Sequence, residues 1–225
     1  MCIRDSPYSK VNHLKVTTHQ QYVWEKFILS GDMGYQNNHR EEWSAFHTHY
    51  GSQPLPQTNP DKELGFNLNT FSFSAIGRLI GSSFWEYRMG WDSQFQRNTI
   101  SGYSFLLPEY ERFTTGVSWL TTYRPDNVLA VSGGIRYDYG RIYVFAHDDP
   151  YLATYLQEQG YSDEQVESYR WNSRRVNRSF GDYSLSLGVV WTPSVLHQLK
   201  VNIGRSFRLP GANELASNGV HYGTC

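Results

Sequence analysis

The sequence predicts an all-β chain, an incomplete wall of about eight strands from an antiparallel up-and-down transmembrane β-barrel. Three observations carry that expectation. Strand-length segments alternate apolar and polar residues through most of the 225 residues, and lipid-facing and lumen-facing positions of a barrel wall alternate in the same way. The clearest apolar stripe, Tyr183, Leu185, Leu187, Val189 and Trp191, begins and ends with an aromatic, as expected where an apolar band meets two membrane interfaces. The connections alternate between short and long, which gives the two rims different chemistry.

The segments follow in order. Residues 12–23 read as a strand ending at Trp24-Glu25-Lys26, and 27–42 sets Phe27, Leu29, Met33 and Tyr35 against Ser30, Asp32, Gly34, Gln36 and Asn38. A polar connection with Pro54, Pro56 and Pro60 precedes segment 63–78. There Leu64, Phe66 and Leu68 share one parity while Phe71 and Phe73 take the other, a slip that predicts a β-bulge. Segment 84–97 opposes Trp85, Tyr87, Met89 and Trp91 to Glu86, Arg88, Asp92 and Gln94, a face too charged for a dry core and suited to a wet lumen. Segments 111–123 and 128–142 flank Arg124-Pro125-Asp126-Asn127, where Pro presets φ and Asp and Asn bond their own backbone. Segments 179–192 and 197–206 complete the eight. On this reading the turns at 24–26, 80–83, 124–127 and 193–196 face the periplasm, and 43–62, 98–110, 143–178 and the stretch from 207 face outside. The connection 143–178, longer than ordinary loops, is expected to bind or cover something and to hold a short helix near Asp163 to Tyr169.

Composition narrows the class. The 20 Lys and Arg nearly balance the 21 Asp and Glu, so no nucleic-acid partner is expected. Apolar runs break at every second position, and with a mean hydropathy of −0.57 no membrane-spanning helix is expected. Residues 1–6 fit no strand pattern and read as a sequencing or expression scar, leaving 7–225 as a partial barrel domain. Cys2 and Cys225 sit at the two extremes and carry no redox or metal motif. The chain has no catalytic signature such as GxSxG, HExxH, a phosphate loop or CxxC. It is therefore read as a non-enzyme without a cofactor.

Four stretches carry a resemblance. Gly204 to Leu215, reading Gly-Arg-Ser-Phe-Arg-Leu-Pro-Gly-Ala-Asn-Glu-Leu, resembles the "FRxP…EL" signature late in the barrel of TonB-dependent outer-membrane receptors, on Phe207, Arg208, Pro210, Glu214 and Leu215. Gly133 to Tyr139 resembles the family's "GxRYD" strand, on Arg136, Tyr137 and Asp138. Leu106 to Tyr110 resembles its "LIPxY" loop, and Tyr35 to Glu42 a polar strand end. The resemblance implies the outer membrane of a Gram-negative bacterium and a 22-stranded barrel closed by a plug domain, which this stretch lacks. It also implies import of a scarce nutrient, such as an iron–siderophore, haem or another metal complex, with energy delivered by the TonB complex through that plug. The expected partners are therefore outer-membrane lipid, the TonB complex and a small-molecule or metal-chelate ligand.

Candidate ligand or metal contacts on the outer loops are His47, His49, His147, Asp148, Asp149 and His221, because imidazole with carboxylate suits zinc-type coordination. Solvated loop histidines give the same pattern. Phe207 and Arg208 fit either a ligand contact or a strand-to-loop junction. Two other functions share part of this pattern. A passive porin shares the wall but needs no plug, and a soluble glycan-binding β protein would carry its aromatics on loops rather than at strand ends.

Overall fold

The computed structural model describes residues 6–47, 53–81 and 83–216. Eight strands form one open antiparallel sheet: β1 (Tyr8–Val23), β2 (Phe27–Trp43), β3 (Lys62–Ile80), β4 (Trp85–Ser101), β5 (Tyr110–Tyr123), β6 (Leu129–Val144), β9 (Val176–Ser194) and β10 (His197–Arg205). Each strand pairs with its neighbour in sequence, except that β6 pairs with β9 across an insertion. That insertion holds a two-stranded ribbon, β7 (His147–Asp148) with β8 (Trp171–Ser173), and two helices, α1 (Pro150–Glu158) and α2 (Asp163–Tyr169). A last helix, α3 (Ala212–Ala216), follows β10. No helix among the described residues is long and apolar enough to cross a membrane. Seven of the eight strands run for 14 to 19 residues, more than the roughly 9–11 that a tilted transmembrane strand requires.

Register lines the side chains into rows. One row across the sheet reads Tyr22, Leu29, Gly77, Met89, Trp119, Ile135 and Leu185. On the opposite parity the row His19, Asp32, Ser74, Asp92, Gly116, Asp138 and Asp182 is polar throughout. We call these the outer and inner faces. Exposure runs opposite to that of a soluble sheet: Trp119, Ile135 and Leu187 are 44, 53 and 51% exposed, whereas the side chains of Glu86 and Asp138 are 12 and 17% exposed. A soluble sandwich would cover its apolar face with a second layer. Among the described residues no such layer is present.

Aromatics edge the band. Near the short-turn end Trp85 packs on Tyr123 with ring centroids 4.5 Å apart, and Trp24 packs on Phe27 at 5.5 Å. At the other edge of the β9 stripe the Arg205 guanidinium lies 4.3 Å from the centre of the Tyr183 ring, a cation–π contact suited to a membrane interface.

The inner face is held by ion pairs. Arg136 Nη1 and Nη2 donate to Asp92 Oδ1 and Oδ2 at 2.7 and 3.0 Å, while its Nε donates to Asp138 Oδ1 at 2.8 Å. Arg136 stands on β6 and Asp92 on β4, so the guanidinium crosses β5. It crosses at Gly116, where a Cβ would lie 2.1 Å from Nη2. Glu86 similarly accepts from Arg78 at 2.8 Å and from Arg88 at 2.7 Å.

The structure corrects one expectation. β3 keeps continuous register with β4, and its only shift against β2 falls at Glu42/Trp43, so no bulge separates Leu68 from Phe71. The change of parity marks a change of surroundings along one straight strand. Phe71 and Phe73 lie on the outer face within the band, whereas Leu64, Phe66 and Leu68 lie on the inner face near the long loops, where Leu64 is buried.

Two outcomes test this wall. Leu187→Arg places a cation on the lipid face and is expected to cost membrane assembly about 2–4 kcal/mol, whereas Ser186→Arg, on the inner face, assembles nearly as the parent does. Folding yields into lipid vesicles check it, and equal impairment, or a milder effect of Leu187→Arg, would mean that the inside and outside of the wall are wrongly assigned. Gly116→Val is expected to push the guanidinium off Asp92 and destabilise the wall by about 1–2 kcal/mol. Urea unfolding in an Asp92→Asn background provides the control, because there the added cost of Gly116→Val should largely vanish.

Candidate functional site

The long-loop end holds a cavity of about 1500 Å³. Three connections build it: 44–61 between β2 and β3, 102–109 between β4 and β5, and the insertion between β6 and β9. The middle connection starts at Gly102, whose φ of 104° only glycine adopts readily and whose Cβ would sit 2.3 Å from the Glu63 carbonyl. That turn presents Tyr103 and Phe105. Each supports a histidine from a different loop. The Tyr103 hydroxyl and His47 Nδ1 lie 3.2 Å apart with the rings edge-on, and Phe105 stacks on His147 with centroids 4.8 Å apart and planes 22° from parallel.

The first loop is rooted by polar bonds. Ser44 Oγ donates to Glu63 Oε2 at 2.7 Å, and Lys62 Nζ donates to Glu41 Oε1 at 2.8 Å. Glu41 stands beyond the apolar band, and chiefly the Lys62 hydrogen bond draws its pKa from 4.5 down to about 2. A depressed carboxyl pKa contributes stability in full above the ordinary value of 4.5 and loses it only as pH falls toward 2. The loop root therefore stays fixed in mildly acidic surroundings.

The insertion is a small folded unit. Asp149 caps α1 by accepting from Tyr151 N at 2.9 Å and Leu152 N at 3.2 Å. Asp148 is ion-paired with Arg170. Ser162 opens α2 with a capping box to Gln165, and Val166 of that helix is buried. His147, Asp148 and Asp149 thus line the same cavity as His47, but both carboxylates already have structural partners. His49 and His221 lie outside the described residues. Among the described residues no group of three His, Cys, Asp or Glu is placed to hold a metal ion. What the cavity offers is two imidazoles on aromatic supports, with Trp171, Tyr151, Leu55, Leu106 and Leu152 in the surrounding walls. It is larger than the roughly 300–1,000 Å³ of ordinary small-molecule pockets. Such a lining suits a bulky ligand with flat or apolar faces, including a metal whose coordination is largely filled by its own carrier.

The family-motif residues lie elsewhere. Arg136 and Asp138 belong to the inner-face ion pairs, and Tyr137 points to the outer face. After β10 the chain turns onto the inner side of β6: Phe207 N donates to Ser184 Oγ at 3.1 Å, and Leu209 covers Gly140. Arg208 Nη2 and Gly211 N donate to the two oxygens of Glu214 at 2.6 and 2.7 Å. The Arg208 guanidinium, followed by the Gly211 amide, keeps this carboxyl below the usual carboxylate range. Half-buried Pro210 precedes α3, from which Ala212 and Leu215 pack on Ile142 and Val144. Phe207 and Arg208 therefore sit at a strand-to-loop junction. The residues that sequence reasoning missed are Tyr103, Phe105 and Trp171. The one available signal was two aromatics two positions apart directly after a glycine.

Comparison with known proteins agrees with this architecture. The profile of the TonB dependent receptor-like β-barrel family matches residues 6–224. Among solved structures the chain is similar to the Serratia marcescens hemophore receptor HasR, a double mutant in complex with its hemophore HasA and heme. The TM-score is 0.65 at 18% identity, covering 98% of this chain and 34% of that one. It is also similar to the FrpB iron transporter of Neisseria meningitidis in its apoprotein form, with TM-score 0.59 and 15% identity over 90% of this chain and 30% of that one. None of the curated proteins matches. The chain spans about a third of the length of these receptors. Eight meandering strands with an apolar outer face, a charged inner face and a match along nearly the whole length lead to one conclusion: the chain belongs to the TonB-dependent receptor β-barrel family.

Proposed function

We propose that this chain forms part of the wall and outer loops of an outer-membrane receptor that captures a scarce nutrient as a metal chelate, of the iron–siderophore or haem type. Uptake draws energy from the TonB complex through a plug domain, with the plug and the remaining strands lying outside this span. The observation that carries the reading is the cavity at the long-loop end, where His47 and His147 stand on Tyr103 and Phe105. Short turns then face the periplasm and the cavity faces outside. A chelated metal needs few protein ligands, which agrees with two imidazoles and, among the described residues, no group of three His, Cys, Asp or Glu placed to hold a bare ion. Both similar receptors handle iron or heme by name, in keeping with that class.

Cells producing the whole receptor test this in two arms. His47→Ala/His147→Ala is expected to weaken binding of the cognate chelate about tenfold or more, equivalent to about 1.4 kcal/mol or more, without reducing the amount of folded receptor. Unchanged affinity would remove the ligand from this cavity. Uptake of the same chelate should stop when the TonB complex is deleted, and uptake that persisted would indicate a passive channel.

A further inference from the structure

The connections that build the outer cavity share a charge bias. The stretches 44–61, 102–110 and 145–169 carry acids from Asp61 to Glu167 but no lysine or arginine. The cations beside them are engaged or lie elsewhere. Lys62, the one lysine or arginine among the described lining residues, is ion-paired with Glu41 at 2.8 Å, and both side chains are only 13% exposed. Arg170 is ion-paired with Asp148, and Arg174 and Arg175 line a separate cavity with Glu164 and Glu167.

The carboxylates in the lining do not call for a cation. Glu63 accepts from Ser44 Oγ at 2.7 Å, Asp148 has Arg170, and Asp149 accepts from the Tyr151 and Leu152 amides. The cavity therefore holds a negative field without offering a bare carboxylate to a metal. An anionic ligand loses affinity there, because like charges repel within a Debye length of about 8 Å at physiological salt. What remains for a ligand to use is uncharged: Leu55, Leu106 and Tyr151 expose apolar surface, and Ser104 and Asn172 supply hydrogen-bonding groups. A complex whose own donors cancel the metal's charge suits such a lining. Three hydroxamates, each carrying one negative charge, neutralise a ferric ion and fill its coordination sphere. A tricatecholate complex stays strongly anionic, and haem brings two propionates.

We propose that the cavity selects an uncharged ferric complex of the trihydroxamate type and discriminates against anionic chelates through the acidic bias of its loops. The selection rests on capture of a metal chelate at this cavity, which the His47→Ala/His147→Ala receptor tests separately.

Titration of the purified whole receptor with a neutral ferric trihydroxamate, a ferric tricatecholate and haem, read by quenching of tryptophan fluorescence, provides the test. The trihydroxamate is expected to bind about tenfold or more tightly than either anionic chelate. Added salt should strengthen tricatecholate binding by screening the acids. Gln57→Arg/Thr58→Arg, at exposed lining positions, should narrow the gap between tricatecholate and trihydroxamate about tenfold. Tighter binding of the tricatecholate or of haem by the parent would overturn the proposal, as would an unchanged gap in the variant or tricatecholate binding that weakens with salt. If an anionic chelate binds best and His47→Ala/His147→Ala still weakens it, capture at this cavity stands and only the charge selection falls. If none of the three binds, the cavity does not capture a metal chelate at all.

Discussion

The structure depends on keeping two incompatible surroundings apart with a single layer of chain. Backbone amides that face hydrocarbon have no water to bond, so every strand within the band must be paired along its length. The alternation of side chains then assigns each residue to lipid or to the inner space. A slip of one residue would carry Asp92, Arg136 and Asp138 into lipid and Trp91, Ile135 and Tyr137 into the charged interior. This penalty, more than any single contact, explains the unbroken register from β3 to β6 and again from β6 to β9.

The inner face meets a different demand. Its charges are too many for a dry core and are paired with one another rather than removed. The pairing reaches across strands, and that reach needs space: Arg136 finds Asp92 only because the strand between them offers Gly116. Near the long-loop end the inner face turns apolar at Ile142 and Val144, and the chain after β10 folds back to cover it. The Arg-Pro-Glu-Leu spacing of the motif thus has a physical basis. Arg208 and Gly211 fix Glu214, and that fixes the turn from which α3 lays Ala212 and Leu215 on β6.

The wall was legible in the sequence because its signal is local. Alternation, aromatic stripe ends and the Pro125 turn each reside in a few neighbouring residues, and the short helix expected near Asp163 to Tyr169 forms as α2, where Ser162 and Gln165 make a capping box. The misread bulge in β3 shows the limit. Parity alone does not tell a slipped strand from a straight one that leaves lipid part-way, since Leu64 and Phe71 are both apolar for different reasons. Helix α1 was signalled by Asp149 capping and Pro150 at its start but was masked by the surrounding polar stretch. The cavity left only the Gly102-Tyr103-Ser104-Phe105 trace, because Tyr103 reaches His47 and Phe105 reaches His147 only once the loops have been brought together by strand pairing.

The insertion between Val144 and Val176 joins two adjacent strands, as the turns of two to five residues do at the opposite rim. In a flexible chain the entropy lost on joining two ends grows only with the logarithm of the length between them, about 0.6 kcal/mol for each doubling. Lengthening that connection therefore takes little from the stability of β6 against β9, and the folded unit inside it, with its own helix caps and buried Leu156 and Val166, offsets part of the loss. The rim is consequently free to diverge while the wall is held constant. Receptors of this architecture can exchange one captured molecule for another by rewriting loops, without renegotiating how the chain crosses the membrane.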